Sequence, residues 1–320
     1  MKTTSMTCLL LLWIALPAQA QRPNRQLFPL QAYTLPDYVA VEFSEAFAMP
    51  EAFQGQSYAG VAINARGNLL VFSRGSIPFL EFDGRGQLVR SFGADGMFLR
   101  AHGFHVDRHD NIWATDVADH VVMKLDPNGN VLMTLGTKGQ SGEWDEAAGN
   151  HLFDQPTDVA VDAADNVYVA QGHGPGEPRI LKFGPDGQFI KQWGSRGYGH
   201  GQFVVAHAIE IDASGTLHVA DRENMRIHRY DTDGNLLGEW RFDAMVCAIY
   251  LHHDGYLYIT TGYDGQLAKL DEDGSVLGAI GGPGTGNGQF GEAHALALDR
   301  DDHAYVADVV NRRIQKFAKQ

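Results

Sequence analysis

Three histidines recur at one position of a repeated pattern along the chain. His102, His207 and His294 open the segments HGFHVD, HAIEID and HALALD, in which apolar and polar residues alternate. Neutral imidazoles bind zinc and other first-row transition metals, and three of them leave a fourth position for another ligand. The pattern predicts a transition-metal site with zinc as the expected ion. The alternative is a set of hydrogen-bonded histidines that fill a channel.

Two arginines lie at matching positions of the same repeat, Arg74 in the segment FSRG and Arg222 in the segment ADREN. Guanidinium groups bind carboxylates in paired hydrogen bonds, but two of them above a metal cation repel it unless an anion lies between them. We therefore expect Arg74 and Arg222 to hold the carboxylate of a substrate. Pairing of each arginine with a nearby acid such as Glu223 is the alternative.

These residues belong to a repeat that occurs six times. Each copy contains an alternating strand, a polar turn and a strand rich in Val, Tyr and Leu, and most copies continue with two more short strands. Four short strands with a period of about 40 to 45 residues are typical of a propeller blade. The sequence therefore predicts an all-β, six-bladed β-propeller that forms a single domain over residues 21–320. The copies begin at Gly60, His102, Thr157, His207, Cys247 and His294.

The last copy ends after its third strand, near Phe317, and Tyr38-VAVEF is expected to supply the fourth strand and close the ring. The first strand of each blade lines the channel of a propeller, so one position of the repeat becomes a ring around the axis. That ring consists of Ala59, His102, Thr157, His207, Cys247 and His294.

Histidine occupies alternate blades of this ring, which predicts a triangle of imidazoles that point at the axis. We expect Cys247 to be a small buried residue, with a role as ligand as the alternative. Residues just after the second strands open on the same face, because the first two strands are antiparallel. This places Arg74, Arg222 and His173 around the histidines.

Composition limits the partners and the location. Met1 to Ala20 combine Lys2, an apolar run and the segment AQA, which predicts a secretory signal peptide and a secreted or periplasmic protein. Cys247 is then the only cysteine, so no internal disulfide is expected. A formal net charge of −14 disfavours nucleic acid and anionic membranes as partners. No membrane insertion is expected, and we expect a monomer.

The chain resembles the peptidyl-α-hydroxyglycine α-amidating lyase family, an NHL-repeat β-propeller family, over nearly all of the mature sequence. The resemblance implies cleavage of the N–Cα bond of a peptidyl-α-hydroxyglycine, with zinc on His102, His207 and His294 and with Arg74 and Arg222 in the active site. It also implies a structural calcium bound by the backbone carbonyls of Val61 and Phe104. The matching segments are Gly60-VAIN, Val71-FSRG, His102-GFHVD, Trp113-ATDVADH, His151-LFDQPTDVAVD, Gln202-FVVAHAIEID and Val219-ADRENMRI.

Three positions depart from the pattern of that family. His173 replaces the catalytic tyrosine, Ala295 replaces an aspartate that helps to hold calcium, and Glu292 stands where methionine is usual. A histidine with an unperturbed pKa near 6.5 suits a general base at neutral pH, so His173 is expected to accept the hydroxyl proton. The alternative is that the substitution marks an inactive or repurposed member of the family. Loss of the aspartate predicts weak calcium binding or none, with Glu292 as the only obvious substitute for the missing carboxylate.

Two other functions remain open. A non-catalytic NHL propeller that binds a peptide or an envelope protein would need no metal. A calcium-dependent lactonase-like propeller would need carboxylates and amides around the axis, and the ring of Ala, His, Thr and Cys argues against it.

Overall fold

The computed structural model describes residues 25–26, 35 and 37–320, so the predicted signal peptide, Met1 to Ala20, lies outside the described residues. The described chain forms six antiparallel sheets, each with four strands in chain order from the axis outward, apart from the last sheet. This architecture confirms the predicted all-β, six-bladed propeller. Among the described residues, no helix is long and apolar enough to cross a membrane.

The first three blades follow one another along the chain, and a short hairpin, Trp144–Asp145 with Asn150–His151, precedes blade 3. The strands of blade 1 are Tyr58–Ile63, Leu69–Ser73, Phe79–Phe82 and Leu88–Phe92. The strands of blade 2 are Ala101–Val106, Ile112–Asp116, Val121–Leu125 and Val131–Leu135. The strands of blade 3 are Pro156–Val161, Val167–Gln171, Arg179–Phe183 and Phe189–Trp193.

The last three blades complete the ring, and the two-residue strand Arg25–Gln26 runs parallel to the outer strand of blade 4. The strands of blade 4 are Ala206–Ile211, Leu217–Asp221, Arg226–Tyr230 and Leu236–Phe242. The strands of blade 5 are Ala248–Leu251, Leu257–Thr260, Gln266–Leu270 and Val276–Gly281. The strands of blade 6 are Ala293–Leu298, Ala304–Asp308, Arg313–Lys319 and Tyr38–Val41. The described helices are the short turns Phe43–Ala46, Glu51–Phe53 and Arg222–Asn224.

The N-terminal strand closes the ring as the sequence predicted. Tyr38–Val41 pairs antiparallel with Arg313–Lys319, and Tyr38 lies opposite Lys319. The first strand of the described propeller therefore completes the last blade. Backbone groups at the outer edge of Arg313–Lys319 are paired by this closure, which is how propellers avoid a long open edge.

Aspartates fix the turns between the first and second strands of several blades. The side chain of Asp212 accepts hydrogen bonds from the backbone N–H groups of Ser214 and Thr216, both 2.9 Å long. Asp162 and Asp299 form the same pair of bonds in blades 3 and 6. These local bonds set the register of each strand pair and hence the position of the inner strand in the ring.

The hydrophobic core lies between adjacent blades rather than at the axis. Trp113 of blade 2 packs with Phe153 and Phe183 of the next blade, and all three are buried. The axis is thereby left to the polar ring of the inner strands.

Blade 4 contains a buried ion pair, and we expect its disruption to cause a large loss of stability. The side chain of Arg226 is 0% exposed and donates to Asp221, at 2.9 Å, and to the carbonyl of Gln202 in the connection from blade 3. Arg226→Met leaves Asp221 buried without its cation, so we expect a loss of about 3 to 5 kcal/mol in the free energy of unfolding. Urea unfolding followed by circular dichroism measures it.

Blade 6 supplies the control for this prediction. Arg313 pairs with Asp308 at the same position of the repeat, but its side chain is 18% exposed. Arg313→Met should therefore cost clearly less than Arg226→Met. Equal losses for the two variants would contradict the argument from burial.

Candidate metal centre and active site

The three predicted histidines meet at the axis of the propeller. His102, His207 and His294 are the second residues of the inner strands of blades 2, 4 and 6, and all three are buried. Their ring centroids lie 4.7 to 5.2 Å apart. The structure therefore brings together the triangle that the repeat predicted.

The other three residues of the ring hold the histidines through their backbone. Nδ1 of each imidazole lies within hydrogen-bond distance of the carbonyl oxygen of the ring residue in the following blade. Because a carbonyl oxygen only accepts, each Nδ1 carries the proton and each Nε2 presents a lone pair to the axis. The pairs are His102 with Thr157 at 2.7 Å, His207 with Cys247 at 2.7 Å and His294 with Ala59 at 2.8 Å.

This arrangement fits a transition-metal ion. Nε2 of His207 is buried without a hydrogen-bond partner, and Nε2 of His294 lies 3.3 Å from Nε2 of His102. Tetrahedral zinc with Zn–N bonds of about 2.0 to 2.1 Å holds its nitrogen ligands about 3.3 Å apart. Lone pairs that face one another at this distance repel unless a cation lies between them, so the donor set matches the predicted ion.

The histidines are also in the protonation state that a metal requires. Burial and the neighbouring imidazoles hold the pKa of His102 well below its usual range, and burial with the charge of Arg222 does the same for His207. Burial and the charge of Arg74 lower the pKa of His294 to about 3. Neutral imidazoles bind metals without first losing a proton.

His173 lies closer to this centre than the sequence indicated. Its Nε2 is 3.0 Å from Nε2 of His102, and the two ring centroids are 4.7 Å apart. Burial, together with the charges of Arg222, Arg100 and Arg74, lowers the pKa of His173 to about 3. This disagrees with the pKa near neutrality that the sequence predicted, because the unperturbed value includes neither burial nor the charges of the arginines.

The two arginines lie on the same face of the channel, where they contact other groups of this chain. Arg222 donates to Oε1 of Glu223 through Nε at 2.9 Å, and its Nη1 lies 3.9 Å from Oε1 of Glu292. The alternative of pairing with a nearby acid is thus realised at Arg222, because its own short helical turn brings the adjacent Glu223 onto the guanidinium. Arg74 donates from Nε to the carbonyl of Ala101 at 2.9 Å.

Two further residues, Glu292 and Arg100, lie on this face. The sequence did not place either of them beside the arginines and His173. Burial raises the pKa of Glu292, although the charges of Arg222 and Arg74 oppose the shift. Its carboxylate thus interacts with both arginines, where a substrate carboxylate was expected. The substitution of methionine by Glu292 was visible in the sequence, whereas the proximity of Arg100 to His173 depends on the packing of blades 2 and 3.

Cys247 contributes its carbonyl rather than a free thiolate. The side chain is buried, and burial raises the pKa of its thiol to about 12. A protonated thiol is a poor metal ligand. This agrees with the prediction that Cys247 is a small buried neighbour of the histidines.

The channel behind the histidines contains the residues predicted for calcium. Val61 and Phe104 line it together with Ala295, which brings no carboxylate. Asp158 lines the same cavity, and burial raises its pKa to about 7. Weak calcium binding or none at Val61 and Phe104 therefore stays a prediction.

Glu210 predicts a pH-dependent stability. It lines the far part of the channel, where burial and the charges of Asp158 and Asp212 raise its pKa to about 8, against one backbone hydrogen bond from Ile211. Between about pH 4.5 and 8 the unfolded chain loses this proton while the folded chain keeps it, so stability falls as the pH rises.

Glu210→Gln removes the carboxyl group that releases a proton on unfolding. We expect its stability relative to wild type to increase by more than about 1 kcal/mol between pH 5 and 8.5, measured by urea unfolding at both values. Glu272→Gln, at an exposed position, is the matched control. A difference that stays constant with pH would contradict the prediction.

Comparisons with known proteins agree with the propeller fold. A family model described as a 6-bladed beta-propeller matches residues 175–269. Mouse NHL repeat-containing protein 3 is 30% identical over 300 residues, which cover 83% of this chain and 80% of that protein. Peptidyl-alpha-hydroxyglycine alpha-amidating lyase 1 of Drosophila melanogaster is 30% identical over 249 residues, 69% of this chain and 44% of that protein.

The chain belongs to the NHL-repeat β-propeller family that includes these amidating lyases. Mouse peptidyl-glycine alpha-amidating monooxygenase, another relative, is 34% identical over 322 residues, or 87% of this chain. The chain spans about a third of the length of that monooxygenase, with 31% covered. Relatives of this NHL-repeat propeller thus include enzymes named for amidation and an NHL repeat protein named only for its repeats.

Solved structures with a similar fold align with this chain at low identity. A streptogramin B lyase aligns with a TM-score of 0.63 and 14% identity, over 88% of this chain and 98% of that one. A gluconolactonase from Xanthomonas campestris aligns with a TM-score of 0.63 and 16% identity, over 93% and 95%. These likenesses concern the fold alone.

Proposed function

We propose that this protein is a metal-dependent carbon–nitrogen lyase that cleaves the N–Cα bond of a peptidyl-α-hydroxyglycine. The observation that carries the proposal is the convergence of His102, His207 and His294, whose Nδ1 groups are fixed by backbone carbonyls so that three Nε2 lone pairs meet at the axis. Relatives named for this lyase reaction support the substrate class.

His102, His207 and His294 would hold zinc. A bound zinc ion supplies Lewis-acid polarisation of a coordinated oxygen and lowers the pKa of its proton. The backbone bonds at Nδ1 orient the three rings and raise the basicity of Nε2, which are the usual roles of outer-shell partners. The blades thereby form the site before any ion binds.

Arg74 and Arg222 would bind the glycine-derived carboxylate. Both lie on the face onto which the histidines open, and both interact with the buried carboxylate of Glu292. A substrate carboxylate would occupy the same electrostatic position and orient the α-carbon towards the histidines. Because Arg222 already contacts Glu223 and Glu292, the substrate carboxylate would compete with these acids for the guanidinium groups.

The reaction balances without an added oxidant or reductant. The hydroxyl oxygen loses its proton and becomes the aldehyde oxygen of glyoxylate, and the electron pair of the N–Cα bond leaves with nitrogen. Nitrogen gains a proton and becomes the primary amide of the shortened peptide.

We further propose export of the protein by its N-terminal segment and function as a monomer.

A direct assay tests the proposal. Purified protein loaded with zinc should convert benzoyl-α-hydroxyglycine to benzamide and glyoxylate, and removal of the metal by dipicolinate should lower the rate by at least about 100-fold. Glyoxylate is quantified against a protein-free blank, which measures the spontaneous breakdown of the substrate. Restored activity on zinc return controls for unfolding.

One result would refute the proposal. A folded protein that binds zinc stoichiometrically, yet releases glyoxylate no faster than the blank, is not a lyase for this substrate class. In that case a propeller that binds a peptide or an envelope protein becomes the better description.

A further inference from the structure

We propose that His173 is a fourth imidazole ligand of the ion at the axis, which gives this chain a four-histidine site. The inference rests on the metal site of the proposed function and assigns His173 a role other than the proton acceptor that the sequence predicted.

Distances at the axis carry the assignment. Ring nitrogens of His173, His102 and His207 lie within 4.8 Å of one another. The Nε2 atoms of His173 and His102 are 3.0 Å apart, near the separation of about 3.3 Å between nitrogen ligands of tetrahedral zinc. The ring of His173 also lies 5.1 Å from that of His207, so it sits beside two of the three predicted ligands.

A hydrogen bond between His173 and His102 accounts for fewer of the unpaired ring nitrogens than a shared cation does. Nδ1 of His102 donates to Thr157, so Nε2 of His102 only accepts, and one N–H from His173 would satisfy it. Nε2 of His207 would still be buried without a partner. One cation between them satisfies the lone pairs of His102, His173 and His207 together, and Nε2 of His294 lies 3.3 Å from that of His102.

The segment that carries His173 is fixed by its neighbours. A side chain on Gly174 would collide with the carboxylate of Asp154, and a Cβ on Gly172 would lie 2.5 Å from the backbone nitrogen of Ala206. Asp154 also accepts a hydrogen bond from the backbone of Gly176 at 2.6 Å. Glycines on both sides therefore let the chain pass close enough to hold His173 at the axis.

Four imidazoles would make this site different from an open three-histidine site. A tetrahedral shell of four protein ligands has no vacant corner. A substrate oxygen would reach the ion only as a fifth ligand or in place of His173. His173 follows a second strand, whereas the other three lie on inner strands, so its exchange would leave the ring of inner strands intact.

X-ray absorption at the zinc edge tests the assignment without an activity measurement. The zinc-loaded wild type should show four imidazole ligands, and His173→Ala should show three with a zinc affinity lower by about 10- to 100-fold. His200→Ala, which removes an exposed histidine, is the matched control and should change neither quantity. Three imidazoles in the wild type, with unchanged affinity in His173→Ala, would overturn the inference.

The count of imidazoles in the wild type is decisive even if a variant fails to fold. Four imidazoles in a protein without lyase activity would support this inference and refute the proposed function. Three imidazoles in an active lyase would refute the inference and leave the function standing. Metal analysis that finds no bound zinc after loading would refute both.

Discussion

His207→Ala is expected to weaken zinc binding by at least about 100-fold, because even partners in the outer shell of a metal site contribute about 10- to 100-fold. His207 presents a buried Nε2 without a partner, and its Nδ1 is held by Cys247. Lyase activity at limiting zinc should fall in parallel. Competition titration with a chromophoric chelator measures the affinity.

The control for this variant is a second buried histidine of blade 4. His218 lies outside the channel and bonds to Asp212 at 2.9 Å. His218→Ala should lower thermal stability but leave the zinc affinity unchanged, while His207→Ala should keep the circular dichroism spectrum of the wild type. Unaltered zinc affinity in a folded His207→Ala protein would place the metal elsewhere.

Arg222→Met should lower kcat/KM for a carboxylate-bearing substrate by about 30- to 4,000-fold, which corresponds to about 2 to 5 kcal/mol for a truncated buried charge pair. The side chain of Arg222 is 12% exposed, and its loss leaves Glu223 without its cation and Glu292 with Arg74 alone. These two carboxylates would then repel the substrate carboxylate. Steady-state kinetics with benzoyl-α-hydroxyglycine measures the effect.

A neutral substrate separates charge recognition from loss of structure. The α-hydroxyglycine amide of the same acyl group lacks the carboxylate, so Arg222→Met should cost it much less. Glu292→Gln added to Arg222→Met removes one repelling charge and should recover part of the activity towards the acid. Equal losses for acid and amide would contradict carboxylate binding by Arg222.

The architecture was predictable because each copy of the repeat can be recognised in a short segment of the sequence. Alternating strands and polar turns recur six times, and aspartates such as Asp212 fix several of these turns locally. Once the period is recognised, the inner-strand position follows for every blade. The positions of His102, His207 and His294 at the axis required only that the ring close.

Other features of the site depend on distances between blades, which no local pattern contains. The distance of 3.0 Å between His173 and His102 joins residues of different blades, and the low pKa of His173 comes from burial and from arginines elsewhere in the ring. The pairing of Arg222 with Glu223 is different, since it is local. The adjacent acid in the segment ADREN carried that signal.

The alternation of histidines and carbonyl acceptors around the axis links metal affinity to the radius of the whole ring. Each of the three inner-strand imidazoles is oriented by the blade that follows it, so all six blades contribute to their placement. An ion that binds only the folded ring stabilises it by an amount that grows with the logarithm of its free concentration. The zinc concentration of the compartment would therefore set how much strain any single blade can tolerate before the propeller opens.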